Sequence, residues 1–178
     1  MKKRRSKEYR EYRKIKKEKK KLFDRINICK YGMVVVLVIY IGILVFVGRD
    51  SRTPFETVEK AVLTAADLSG MEEADTVKIR KYYGLNEKDY EGVLLYTSGD
   101  AMGVEELLLI RVKDDAQMEE VLQSIDDRIS TQLNNFEGYG AEQTKLLKQA
   151  ITNQRGKYVL MVISQNAVKF QQAYIDAL

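Results

Sequence analysis

The chain has 178 residues, with 30 Lys and Arg against 26 Asp and Glu, one cysteine and no histidine. The length suits one domain with extensions; the missing histidine excludes a Ser-His-Asp triad, a Cys-His dyad and histidine metal ligation, and the lone Cys29 excludes an internal disulfide. The net charge of +4 averages unlike parts: residues 1–30 carry 15 basic and 4 acidic side chains, a balance of +11, and residues 49–178 have a balance of −7.

Residues 1–30 form a basic arm. Tyr9, Tyr12, Ile15, Leu22, Phe23 and Ile26 recur at helical spacing, with Lys19 interrupting the stripe. Glu11/Lys14 and Glu18/Lys21 are spaced to support a helix. Both a solvated tail and a basic amphipathic helix fit this pattern. An anionic inner leaflet would attract it by about 1 kcal/mol per basic residue near the surface. Basic residues interleaved with tyrosine also suit a phosphate backbone, but lipid contact and stop-transfer charge account for the arm without nucleic acid. Cys29 is expected to be a passive thiol beside the membrane, with palmitoylation as the alternative.

Tyr31–Gly48 contains no charged side chain. As a helix it would be about 27 Å long, near the thickness of a bilayer's hydrocarbon core. The basic arm before it predicts a cytoplasmic N-terminus and an extracytoplasmic C-terminal region. A cleaved signal peptide is the alternative, but its basic region is normally short and a small-x-small site follows its core. Here a long arm precedes the core, and Val45-Phe46-Val47-Gly48-Arg49-Asp50 follows it. The expectation is therefore an uncleaved, single-pass signal anchor. It has no Gly-xxx-Gly pair and no buried charge, so anchoring is its expected role.

Residues 49–53 read as a linker and 54–178 as an extracytoplasmic domain. Thr53-Pro-Phe-Glu56 has the form of a capping box with Pro54 at the first helical position. Phe55, Val58, Val62, Ala65 and Ala66 then make one apolar face. A short helix follows from an Asp75 cap to Tyr83, stopped by Gly84. Asn86–Tyr90 reads as one helical turn. The period then changes to that of strands: Gly92–Thr97 and Glu105–Val112 make a hairpin around Ser98–Gly103. Asp114 or Asp115 can cap the next helix. There Met118, Val121, Leu122, Ile125, Ile129, Leu133 and Phe136 keep helical spacing up to Gly138 and Gly140. Ala141–Lys148 adds a helical turn or two. Ala150–Gln154 and Lys157–Ser164 form a second hairpin around Arg155-Gly156. Asn166–Leu178 closes as a helix, with Val168, Ala173, Tyr174 and Leu178 as its inner face. The fold class is α+β: a mostly antiparallel four-stranded sheet, two hairpins joined by a long helix, with helices packed on it.

Five adjacent acid pairs occur: Glu72-Glu73, Glu105-Glu106, Asp114-Asp115, Glu119-Glu120 and Asp126-Asp127. Neighbouring side chains diverge on helices and strands alike, so all five are expected to be solvated. No calcium-loop or Ser-x-x-Lys pattern is present, and no cofactor or metal is expected. Ser98-Gly-Asp-Ala-Met-Gly103 lacks the lysine and following helix of a phosphate loop. It reads as a hairpin connection whose glycines take φ > 0. Its functional reading is a contact surface of Ser98, Gly99, Asp100, Met102, Glu105 and Glu106, with Met102 as an exposed apolar anchor.

From about residue 75 on, the pattern resembles a known family. It is carried by Tyr83-Gly84-Leu85, by Ser98-Gly99-x-Ala101 followed by Glu105-Glu106 and an apolar strand, by Phe136-Glu-Gly-Tyr139, and by Gly156-Lys-Tyr-Val-Leu-Met-Val-Ile-Ser164. Together these are similar to the bacterial domain of unknown function 4358, found in membrane-anchored proteins and predicted lipoproteins. The resemblance implies an extracytoplasmic location and supplies no catalytic residues. The basic arm and anchor depart from the lipoprotein members. The expected function is a non-catalytic module that binds an extracytoplasmic protein or envelope ligand. The alternative is an envelope hydrolase or transferase whose carboxylates meet in a cleft.

Overall fold

A computed structural model of the chain describes residues 30–42 and 52–178. The chain divides into two units, Met1–Gly48 and Arg49–Leu178. In the first, residues 30–42 form helix α1, and every one of them is exposed. A helix over these residues is about 20 Å long, short of a hydrocarbon core, and among the described residues no helix is long and apolar enough to cross a membrane. Residues 43–48 of the expected span lie outside the described residues, as do residues 1–29 of the basic arm.

The second unit runs α2 (Phe55–Leu63), β1 (Met71–Glu73), α3 (Thr76–Tyr83), β2 (Gly92–Ser98), β3 (Glu106–Arg111), α4 (Met118–Phe136), α5 (Ala141–Leu147), β4 (Ile151–Arg155), β5 (Tyr158–Ile163) and α6 (Ala167–Ala177). Short 3-10 turns at Glu87–Asp89 and Asp115–Gln117 precede β2 and α4. The sheet is five-stranded and antiparallel throughout, in the order β1-β2-β3-β5-β4. The expected four strands are all present. The fifth, β1, is an addition: Met71-Glu-Glu73 pairs with Ser98, Thr97 and Tyr96. Three residues, two of them acidic, show no period of their own. Pairing to β2 is what makes them a strand.

Local signals fix most element ends. The Asp75 side chain accepts from the Lys78 N–H at 2.9 Å to start α3, and Gly84 ends it at φ 70°. Asp114 and Gln117 form a reciprocal capping box before α4. Gly156, at φ 53°, makes the first position of the tight β4–β5 turn. The start of α2 differs by one residue from expectation: Pro54, extended at ψ 147°, is the cap residue and Phe55 is first in the helix.

β3 and β5 lie at the centre, and every residue from Glu106 to Ile110 and from Tyr158 to Ile163 is buried. Helices therefore cover both faces of the sheet. On one face, Leu95, Leu108, Ile110, Val159, Met161 and Ile163 pack with Ile79 and Tyr83 of α3 and Val121 and Ile125 of α4. On the other, Leu94, Leu107, Leu109, Leu160 and Val162 pack with Val58 and Val62 of α2 and Phe170 and Tyr174 of α6. The inner stripe of α6 is corrected here: Val168 is 70% exposed, and Ala167, Phe170 and Tyr174 are buried. Positions 167, 170 and 174 share one face at helical spacing, and 168 is turned about 100° from 167.

Candidate functional site

β3 begins with a glutamate, in a strand buried from Glu106 to Ile110. Glu106 is 1% exposed, opposite Thr97 on one side and Ile163 on the other. Its side chain falls on the sheet face covered by α3 and α4, because residues 106, 108 and 110 share that face. Two partners meet it there. The Tyr83 hydroxyl, at the last position of α3, donates to one carboxylate oxygen. Arg128, midway along α4, donates from Nε to both oxygens at 3.2 Å and from Nη2 to the second at 2.7 Å. The Tyr82 ring lies 3.9 Å from the centre of the guanidinium, a cation–π contact in a partly desolvated setting. Both carboxylate oxygens are thus engaged.

The electrostatics follow from burial. Tyr83 is held well above the ordinary phenol value, by burial first and then by the Glu106 charge. Burial opposes the charge on Arg128, but its hydrogen bonds and ion pair with Glu106 outweigh that and raise its pKa. The phenol remains neutral and the guanidinium charged, as a buried carboxylate requires.

Two members of this triad, Glu106 and Arg128, form with Tyr82 the floor of a cleft of about 660 Å³; the third, Tyr83, holds Glu106 from within the core. One wall is α4 and its exit, with Arg128, Gln132, Asn135 and Tyr139; another is the loop Ser98–Gly103; Lys78 and Tyr82 come from α3 and Glu72 from β1. All six residues of the expected contact surface line this cleft. Their exposure differs. Gly99, Asp100 and Met102 are exposed, Ser98 and Glu105 half-buried, and Glu105 accepts from the Ser164 hydroxyl at 3.3 Å. Glu106 corrects two expectations. It is not a solvated member of an acid pair, and its buried carboxylate belongs to the floor rather than to an exposed contact surface. An acid in a strand between Thr97 and Ile163, with helices over it, keeps almost no contact with solvent.

The loop is organised by its own polar groups. Ser98 Oγ accepts from the Asp100 N–H at 3.1 Å, and Asp100 Oδ1 accepts from the Met102 N–H at 3.0 Å. The Gly103 N–H bonds the Asp100 carbonyl, and the Gly99 N–H bonds the Gly70 carbonyl, both at 3.0 Å. The positive-φ expectation for its glycines is corrected: among described residues only Gly84, Gly138 and Gly156 have φ > 0. Gly103 answers to space instead. A Cβ there would stand 1.9 Å from Ser98 Oγ, so Gly103 lets the loop fold back on Ser98.

Sequence reasoning missed Tyr83 and Arg128 as partners of Glu106. The available clue was the run Glu106-Leu-Leu-Leu-Ile110: an acid leading into a strand buried on both faces must be paired. Among the described residues, no group of three or more acidic or thiol side chains could hold a metal ion.

Residues 64–164 match the family described as Domain of unknown function (DUF4358). The chain belongs to this family. The matched span contains the whole sheet, α3, α4 and α5, and every residue of the triad and cleft. No curated protein and no solved structure gave a match. The resemblance read from the sequence is thereby established, and its motifs acquire physical roles. Of Tyr83-Gly84-Leu85, the tyrosine bonds Glu106, the glycine ends α3, and Leu85 is 3% exposed in the core.

Proposed function

We propose that this protein is a membrane-anchored, extracytoplasmic interaction module that binds through the cleft bordered by Ser98–Gly103, without catalysing a reaction of its own. The observation that carries the reading is the state of Glu106. A catalytic carboxylate needs an oxygen free to take a proton or to attack, and both oxygens of Glu106 are engaged by Tyr83 and Arg128. Glu106 and Arg128 instead build a fixed floor, with Tyr83 holding Glu106 in place. Above it Met102, 50% exposed, and Tyr139, 68% exposed, offer apolar contact area. Large exposed apolar side chains beside polar groups are the composition of a recognition surface.

The anchoring part rests on the uncharged Tyr31–Gly48 run and on the charge step from +11 before it to −7 after it. The basic arm then faces the anionic inner leaflet and the domain faces outward. The carboxylate-hydrolase alternative needs an acid such as Asp100 or Glu105 to act alone. Its test is hydrolytic turnover that Asp100→Asn or Glu105→Gln abolishes.

A photo-crosslinking amino acid at position 102 of the full chain, in intact cells, tests the binding face. The expected result is a discrete adduct that is lost with Asp100→Ala and absent when the probe is at position 168. Adducts equal at both positions would overturn the reading. Protease added to intact cells tests the orientation: the domain should be cleaved and the arm protected, and the opposite pattern sinks it.

A further inference from the structure

A second cleft adjoins the first. It has a volume of about 450 Å³, opens towards α5, and is lined in part by Gln143, Gln149 and Gln165. Met102, Gly103 and Glu105 line both clefts, so the two lobes meet at the loop. Five carboxamides thus face one two-lobed groove: these three, with Gln132 and Asn135 in the first lobe. Gln143 donates weakly to the Met102 carbonyl at 3.4 Å. The other four side chains make no hydrogen bond to another described residue.

A carboxamide both donates and accepts. It matches ligand groups that do the same, such as hydroxyls and secondary amides. The loop offers little to an anion, because the N–H groups of Ser98, Gly99, Asp100, Met102 and Gly103 are all used within the protein. Outside the Glu106–Arg128 pair the groove carries Glu72, Asp100, Glu105 and Glu142 against Lys78 and Lys145. That balance disfavours an anionic ligand and leaves the carboxamides, not a dense acidic patch, as the distinguishing feature. Addition of a peptide strand would read backbone groups, whereas this groove presents side chains. Tyr139 adds an exposed ring that can lie on an apolar sugar face while its hydroxyl stays wet.

We propose that the groove binds a neutral glycan chain. Carboxamides and carboxylates take ring hydroxyls and N-acetyl groups, and Tyr139 stacks on a sugar ring. This rests on the binding face proposed above and names its ligand class.

The test is calorimetric titration of the full chain in detergent with short neutral oligosaccharides of hexose and N-acetylhexosamine type, with an oligolysine peptide in parallel. The expected result is saturable oligosaccharide binding that does not change with salt. Gln132→Ala with Asn135→Ala, and separately Tyr139→Ala, should weaken it about tenfold or more. Gln172→Ala on α6, a carboxamide outside the groove, should leave it unchanged. Circular dichroism and melting of each variant separate lost binding from lost fold. No saturable binding of any oligosaccharide overturns the proposal, as does binding only of the peptide with strong salt dependence, or equal affinity in all variants. If crosslinking from position 102 captures an envelope protein while every oligosaccharide fails, the glycan is wrong and the binding face stands. Failure of both removes both.

Discussion

β3 carries an ion pair at each end, and the two use the same parts in different surroundings. At its start Glu106 pairs with Arg128 at 2.7 Å, and Tyr82 lies against the guanidinium. At its end Arg111 pairs with Glu91, also at 2.7 Å, and its guanidinium lies 5.2 Å from the Tyr158 ring. The side chains of the first pair are 2% and 11% exposed. In the second, Glu91 is 44% exposed. Equal distances therefore conceal unequal stakes. Water can solvate Glu91 if Arg111 leaves. Nothing comparable can solvate Glu106 if Arg128 leaves.

The largest expected effect follows directly. Arg128→Met should cost about 3–5 kcal/mol in denaturant unfolding, because it strands a buried carboxylate. Replacing all three members, Tyr83→Phe, Glu106→Leu and Arg128→Met, should recover most of that loss, since apolar residues of similar volume can replace a buried pair. A triple variant as unstable as the single one would show that burial of charge is not the cause. Glycan binding measured on the same triple variant would show whether the charged floor matters for the cleft beyond its shape.

Tyr83→Phe comes next, at about 1.5–3 kcal/mol, the range for a hydrogen bond to a charged group. It has a pH signature as well. Tyr83 is held neutral in the fold by burial and by Glu106, so its contribution is complete below the unfolded phenol value of about 10 and fades as pH rises beyond it. At the other end of β3, burial raises Tyr158 to about 12, which gives a loss of the same sign over a narrower window. Stability should therefore fall above about pH 10, and Tyr83→Phe and Tyr158→Phe should each flatten that fall. An alkaline limb as steep in Tyr83→Phe as in the unsubstituted protein would contradict the assignment.

Gly92→Ala probes the apolar support of the exposed pair. Phe55 stacks on Tyr158 with ring centroids 6.4 Å apart, and a Cβ at Gly92 would stand 2.4 Å from the Phe55 ring. Displacing the ring should cost about 1–3 kcal/mol. Phe55→Leu in the same background should relieve part of it. The smallest effect is expected from Arg111→Met, which leaves Glu91 to water, at most about 1 kcal/mol and shrinking with added salt. A loss matching that of Arg128→Met would erase the distinction between the two pairs.

Most of the fold was legible because local and periodic patterns agreed. The caps at Asp75 and Asp114 and the stops at Gly84 and Gly156 mark element ends with their own chemistry. What stayed hidden depended on partners distant in sequence. β1 is a strand only because β2 is there to pair with it. Glu106 looked like half of a surface acid pair, since neither Tyr83 nor Arg128 is near it along the chain. Gly103 seemed to need a positive φ, when a close approach to Ser98 is what selects it. The six residues read as a contact surface do come together at one cleft, but the α4 and α5 sides of the groove were not visible in a linear reading.

The interior position of β5 also bears on synthesis. β3 pairs with β5 from Arg111–Tyr158 to Glu106–Ile163, partners roughly fifty residues apart, and such long-range closure slows folding. The first hairpin emerges early, with one edge of β3 lacking its neighbour until the last strand arrives. An unpaired apolar strand edge is an aggregation hazard. Nascent chains halted before residue 158 should therefore need a chaperone to hold that edge, and release should come only when β5 slots into place.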